Sequence, residues 1–116
     1  MYIYEYQFKV KPNFDENEML RLIRELAFPI LRKMPGCISA NLIKHLETDA
    51  VENPEWDYAW VTVWESDDAF QKALRYIRPE DSELAKTGFY DKTLAMIKSL
   101  QRSRSILLAS SKSVVD

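Results

Sequence analysis

A chain of 116 residues is a single domain's worth of sequence, long enough to bury roughly two-thirds of its unfolded surface around one core. Hydrophobic residues make up 47% and charged residues 29%, ordinary for a globular protein, and acids and bases are interspersed around a net charge of −2. No field of one sign invites nucleic acid or an anionic membrane, which sets both aside as partners.

The lone Cys37 leaves no intrachain disulfide. No apolar run approaches the roughly 18 residues of a membrane span. Met1 leads straight into a strand pattern with no signal peptide before it, so a cytoplasmic location is expected.

Residues 2–11 alternate, with Tyr2, Tyr4, Tyr6, Phe8 and Val10 on one face and Ile3, Glu5, Gln7 and Lys9 on the other, which predicts a first strand ended by Pro12. Met19, Leu22, Ile23, Leu26, Ile30 and Met34 follow at helical spacing, and Asp15 with Glu18 has the spacing of a capping box. Pro29 inside this helix removes the hydrogen bond to Glu25, so a kink is expected near residues 25–28; Pro35-Gly36 stops the helix. Residues 37–48 alternate again as a second strand, and the polar run 49–55 reads as a loop.

Residues 56–65 predict the third strand, with Trp56, Tyr58, Trp60, Thr62 and Trp64 on one face and Ala59, Val61 and Val63 making the other apolar as well. Ser66 caps the next helix, with Asp67 and Asp68 in its first turn and Phe70, Ala73, Leu74 and Ile77 inward. Past Pro79 the pattern predicts a short helical turn at 82–87, a break at Gly88, a helix over 90–100 and a last strand over 104–110. Lys98, Arg102 and Arg104 then fall near a helix C-terminus, where cations favour the dipole.

The order β-α-β-β-α-(α)-β is a split βαβ: an α+β, ferredoxin-like domain over residues 1–110 with an antiparallel sheet, followed by a flexible tail over 111–116. Helices in such a domain cover one sheet face. Val61 and Val63, read together with Tyr4, Tyr6 and Phe8, then need cover from elsewhere, and a second copy stacking its sheet on this one supplies it.

Two stretches carry a family resemblance. Met34-Pro35-Gly36-Cys37 opens the second strand, and Thr62-Val63-Trp64-Glu65-Ser66-Asp67-Asp68-Ala69-Phe70 joins the third strand to its helix. Together they resemble the antibiotic biosynthesis monooxygenase domain of the dimeric α+β barrel superfamily, where a helix commonly ends in Pro-Gly and the third strand runs into Trp-x-Ser-x-x-Ala-aromatic. The resemblance implies a homodimer, two subunits forming one barrel, and a cofactor-independent monooxygenase acting on a small phenol- or quinol-type aromatic in a pocket between sheet and helices.

The resemblance also assigns residues. Trp64 matches the family's pocket Trp, and Gln7 falls where haem-degrading members have an Asn; both would be catalytic, donating hydrogen bonds to developing negative charge. Trp60, Thr62 and Phe70 would form the substrate-binding wall, with Trp60 where the polyketide oxygenases have an Asn and Phe70 where they have a Tyr. Residues 67–78 contain no His, so the haem ligand of the haem-degrading members is missing and no cofactor is expected.

Each aromatic also reads as plain core packing at strand spacing. His45, the only histidine, reads first as a solvated strand residue, with a general base as the alternative. One His and one Cys cannot make the usual nitrogen and sulfur ligand set, so no metal is expected. A non-catalytic ligand-binding or structural dimer is the alternative reading. RNA binding is a third, because an RNA-recognition motif shares the element order and Tyr58-Ala59-Trp60-Val61-Thr62-Val63 partly imitates its aromatic strand; Asp57 and the acidic chain oppose it.

Overall fold

The computed structural model describes residues 1–46 and 56–108. The loop expected over 49–55 and the tail over 111–116 lie outside them. The chain runs β1 (Tyr2–Val10), α1 (Glu16–Leu22), a π-helical turn (Ile23–Ala27), α2 (Phe28–Leu31), β2 (Cys37–Lys44), β3 (Tyr58–Trp64), α3 (Asp67–Ile77), α4 (Glu83–Lys86), α5 (Phe89–Leu94) and β4 (Ile97–Ile106). The four strands form one antiparallel sheet in the order β2-β3-β1-β4, the ferredoxin-like arrangement, with β1 and β3 central. None of the described helices is long and apolar enough to cross a membrane.

Local chemistry sets the ends of these elements. The Asp15 carboxylate accepts from the Glu18 backbone N–H at 3.2 Å and starts α1, but the reciprocal half of the expected capping box does not form. The Glu18 carboxylate turns instead to Arg21, whose Nε donates to it at 2.9 Å. Pro29 leaves the Glu25 carbonyl without its usual donor, and the helix absorbs the defect where the kink was expected, by widening over Ile23–Ala27, where the Phe28 N–H reaches back to the Ile23 carbonyl. Ser66 Oγ accepts from the Ala69 N–H at 3.1 Å and caps α3.

Pairing settles which side chains share a face. Tyr2 stands opposite Trp64, Tyr4 opposite Thr62 and Tyr6 opposite Trp60, so the tyrosines of β1 and the tryptophans of β3 lie on one face, under the helices. This corrects the expectation that Tyr4, Tyr6 and Phe8 need cover beyond the tryptophan face. The outer face keeps Ile3, Ala59, Val61, Val63 and Ile43 among polar neighbours that include Glu5 and Gln7.

The second correction concerns the end of the chain. β4 starts at Ile97, not at 104, and α5 ends at Leu94. Between Lys9 and Val10 the ladder shifts register, so that Ile97 pairs with Val10 and Leu100 with Phe8, on one face. The shift places apolar residues three apart on one side of a strand, which reads as helix in the sequence. Arg102 and Arg104 therefore sit on a strand, beside Tyr6 and Tyr4, and not at a helix C-terminus.

Candidate functional site

The sheet and the helical layer do not meet everywhere. Between them lies a cavity of about 390 Å³, in the size range of small-molecule sites. Its floor includes Tyr6, Phe8 and Trp60 from the central strands, and Ile23 and Ala27 of the π turn line it from the helical side. The lining is almost wholly apolar. Of the polar residues in its wall, Arg78 and Arg102 both meet Tyr6, while Tyr90 and Thr93 line it from α5.

Several local contacts fix these groups. The Trp60 indole stacks on Phe28 with ring centroids 5.9 Å apart, which holds it as wall. The Arg102 guanidinium lies over the Tyr6 ring at 5.4 Å, a cation–π placement. Arg78 is held in its charged form more firmly than an ordinary guanidinium, chiefly by hydrogen bonding to Tyr6, and its Nη2 also donates to the Tyr4 hydroxyl at 3.5 Å. The Tyr90 hydroxyl donates to the Ile77 carbonyl at 2.8 Å, and burial pushes its pKa up to about 12, so it stays a neutral donor across the physiological range.

Around the larger cavity, Arg78, Arg102 and Leu74 also border a second hollow of about 270 Å³. Tyr4, Phe70 and Arg104 complete much of its wall.

The sequence-predicted residues fall into three places. Trp60 lines the cavity. Trp64, Thr62 and Phe70 lie together as packed core: Trp64 is only 1% exposed and its indole N–H donates to Thr62 Oγ1 at 2.9 Å. Phe70 packs 4.3 Å from the Tyr4 ring and 5.7 Å from Trp64, and borders only the smaller hollow. The indole donor of Trp64 is thus engaged inside the protein, and Trp64 lines neither hollow.

Gln7 and His45 lie elsewhere. Gln7 has the outward parity of β1, opposite Ala59 and Gln101, and its amide donates to the Glu5 carboxylate at 3.2 Å. The structure does not bring it to the cavity. His45 stands just past β2, edge-on to Trp56 at 5.0 Å, and borders neither hollow. Among the described residues no group of three His, Cys, Asp or Glu side chains is placed to hold a metal.

Sequence reasoning missed Tyr6, Tyr90, Arg78 and Arg102 as site residues. Tyr6 was legible as a strand residue on the Phe8 face; Arg102 was hidden by the misread start of β4. Two other polar groups that could suggest chemistry are occupied by structure. Tyr58 donates to the Glu16 carboxylate at 2.6 Å, with its pKa pushed up to about 12 by burial and that bond. Burial pushes the Cys37 thiol up as well, which makes it a poor nucleophile.

Residues 1–75 match the family model described as antibiotic biosynthesis monooxygenase. No curated protein matches the chain. Among solved structures the chain is similar to SnoaB, a cofactor-independent oxygenase from Streptomyces nogalater, at 16% identity, with 94% of each chain covered and a TM-score of 0.66. It is similar to the Arabidopsis thaliana protein At3g17210 at 10% identity, covering 96% of this chain and 99% of that one with a TM-score of 0.70. A dimeric ferredoxin-like protein of unknown function from Thermobifida fusca matches at 14% identity, with 91% and 90% covered and a TM-score of 0.62. At such identities the likeness to these structures is one of fold.

Proposed function

The chain belongs to the antibiotic biosynthesis monooxygenase family, and from that premise we propose that it is a homodimeric, cofactor-independent monooxygenase whose substrate is a small phenol- or quinol-type aromatic. The observation that carries the reading is the mostly apolar cavity between sheet and helices, with Arg78 and Arg102 both meeting Tyr6 in its wall. Such a hollow takes a flat aromatic body and leaves one end of it against Tyr6, Arg78 and Arg102.

The chemistry suits that arrangement. A phenol held against guanidinium groups ionises more easily, because the cations favour its anion. The electron-rich anion passes one electron to dioxygen; the resulting radical and superoxide combine into a hydroperoxide at a ring carbon bearing hydrogen. Loss of water from that peroxide leaves a carbonyl, so one oxygen atom ends in the product and the other in water. With His45 and Gln7 away from the cavity, the chain's own part is to orient the ring, exclude water and stabilise the anion.

Anthrone, whose enol is an electron-rich phenol, tests this. Under labelled dioxygen the protein should form anthraquinone carrying one labelled oxygen, at least about tenfold faster than protein-free buffer. Anthrone bound without oxygen uptake above the blank would instead favour the alternative, a non-catalytic ligand-binding dimer. RNA binding in the manner of an RNA-recognition motif has less support, because Trp60, Trp64 and Tyr58 face the helices while the open sheet face presents Val61, Gln7 and Glu5.

The dimer rests on the outer sheet face, where Ala59, Val61 and Val63 run along the central β3, with Ile3 of β1 beside Val63 and Ile43 of the edge strand β2 beside Ala59. Light scattering at micromolar concentration should give twice the 13.6 kDa of one chain. Val63→Glu, which sets a charge between Ile3 and Ser39 on that face, should leave a folded monomer. A wild-type monomer would overturn the pairing.

A further inference from the structure

The smaller hollow differs from the larger one in kind. Its wall carries Arg78, Arg102 and Arg104 together with Tyr4 and Ser103, and among the described residues no acidic side chain borders it. Among the described residues none of these three arginines has a carboxylate within 4.0 Å. This is unexpected in a chain with 18 acidic and 16 basic residues. Arg21 shows the ordinary case, set between Glu18 and Glu25 on its helix.

Three arginines lining one groove repel each other, and among the described residues no carboxylate pairs with any of them. The groove adjoins the apolar cavity, because Arg78, Arg102 and Leu74 border both. A molecule lying across that shared edge would meet apolar wall on one side and cationic side chains on the other.

We propose that the ligand is an anionic amphiphile, a flat apolar body of two or three rings bearing an oxyanion head such as a carboxylate or phosphate monoester, with the head seated among Arg78, Arg102 and Arg104. The proposal rests on the reading of the cavity as the binding site and adds to it a ligand class and the residues that select it. Guanidinium forks suit an oxyanion because they donate two parallel N–H bonds to its oxygens. The arginines are exposed at the surface, so their hold on the head weakens with salt.

Calorimetric titration with three probes that share one ring system tests this: 2-naphthoate, 2-naphthyl phosphate and the neutral 2-naphthamide. Both anions should bind at least about tenfold more tightly than the amide at low salt, and the advantage should shrink as salt is raised. Arg102→Gln and Arg104→Gln, both at exposed positions, should each remove most of that advantage, and Arg104→Gln, which borders only the smaller hollow, should leave the amide's affinity within about twofold. Arg21→Gln, away from both hollows, should change none of the three. The order of the two anions then tells which head the groove prefers. If the amide binds as well as the anions, or the arginine variants weaken all three probes alike, the head-group assignment is overturned while the cavity keeps its standing as a binding site. If none of the probes binds, the reading of the cavity falls with it.

Discussion

Replacing Trp64 with alanine should lower the unfolding free energy by about 3 to 5 kcal/mol, the cost of emptying a fully buried tryptophan site. The indole is 1% exposed, sits across from Tyr2 on β1, and meets Phe70 of α3 at a ring distance of 5.7 Å. Its removal leaves a void where strand, helix and first strand meet, and it strips the Thr62 hydroxyl of the donor that reaches it at 2.9 Å. Urea unfolding followed by far-ultraviolet circular dichroism measures the loss. Trp64→Phe separates bulk from hydrogen bond: it keeps most of the ring contact, should cost about 1 to 2 kcal/mol, and should leave 2-naphthoate affinity nearly unchanged, because position 64 borders neither hollow. A ligand affinity that collapses in this folded variant would return Trp64 to the site.

Gly36→Ala should be almost as damaging, at about 2 to 4 kcal/mol. Gly36 has φ +82°, where an L side chain is strained, and a Cβ built on it would lie 2.6 Å from the Cβ of Ala69 on α3. The crowding cannot be relieved by rotating a side chain, since the obstacle is itself a Cβ. Gly36 also accepts through its carbonyl from the Glu65 N–H at 2.8 Å, which ties the turn after α2 to the point where β3 becomes α3. Widening that turn would pull on the same junction that Ser66 caps. Thermal unfolding of the variant checks the expectation; a midpoint shift of less than about 2 °C would mean that the turn yields without cost.

Those two positions also show what was legible in the chain before folding. Pro35-Gly36, Ser66 and the alternation of β1 are local signals: a residue in the left-handed region, an oxygen three residues ahead of an unpaired N–H, a two-residue period. Each says what it says without reference to the rest of the molecule, and the element order followed from them. Face assignment was not local. Whether Tyr6 shares a side with Trp60 depends on which residues pair across β1 and β3, and alternation within each strand is equally consistent with both answers.

The same limit hid much of the site. Trp60 could be named because it stands in the middle of an aromatic strand. Arg102 could not, because the register shift beside Lys9 and Val10 puts Ile97 and Leu100 on one face and makes the start of β4 imitate a helix. The resemblance that singled out Trp64 identified the fold through a residue whose described contacts are those of a core side chain. Motif and cavity are neighbours in this structure, joined through Phe70 and Leu74, and a motif alone does not distinguish a wall of the site from its buttress.

The widened turn over Ile23–Ala27 carries a consequence for how this molecule can vary. A π turn holds about one residue more than an α turn, so deleting any one residue there would restore a regular ladder with Ile30 and Leu31 still facing the core, but would set Pro29, which has no N–H, against the carbonyl four residues before it. Substitution in that stretch is therefore easier to accommodate than a change of length. Because Ile23 and Ala27 both border the cavity, main-chain geometry sets the height of its ceiling, and a larger residue at 27 is the simplest way to narrow the choice of guest.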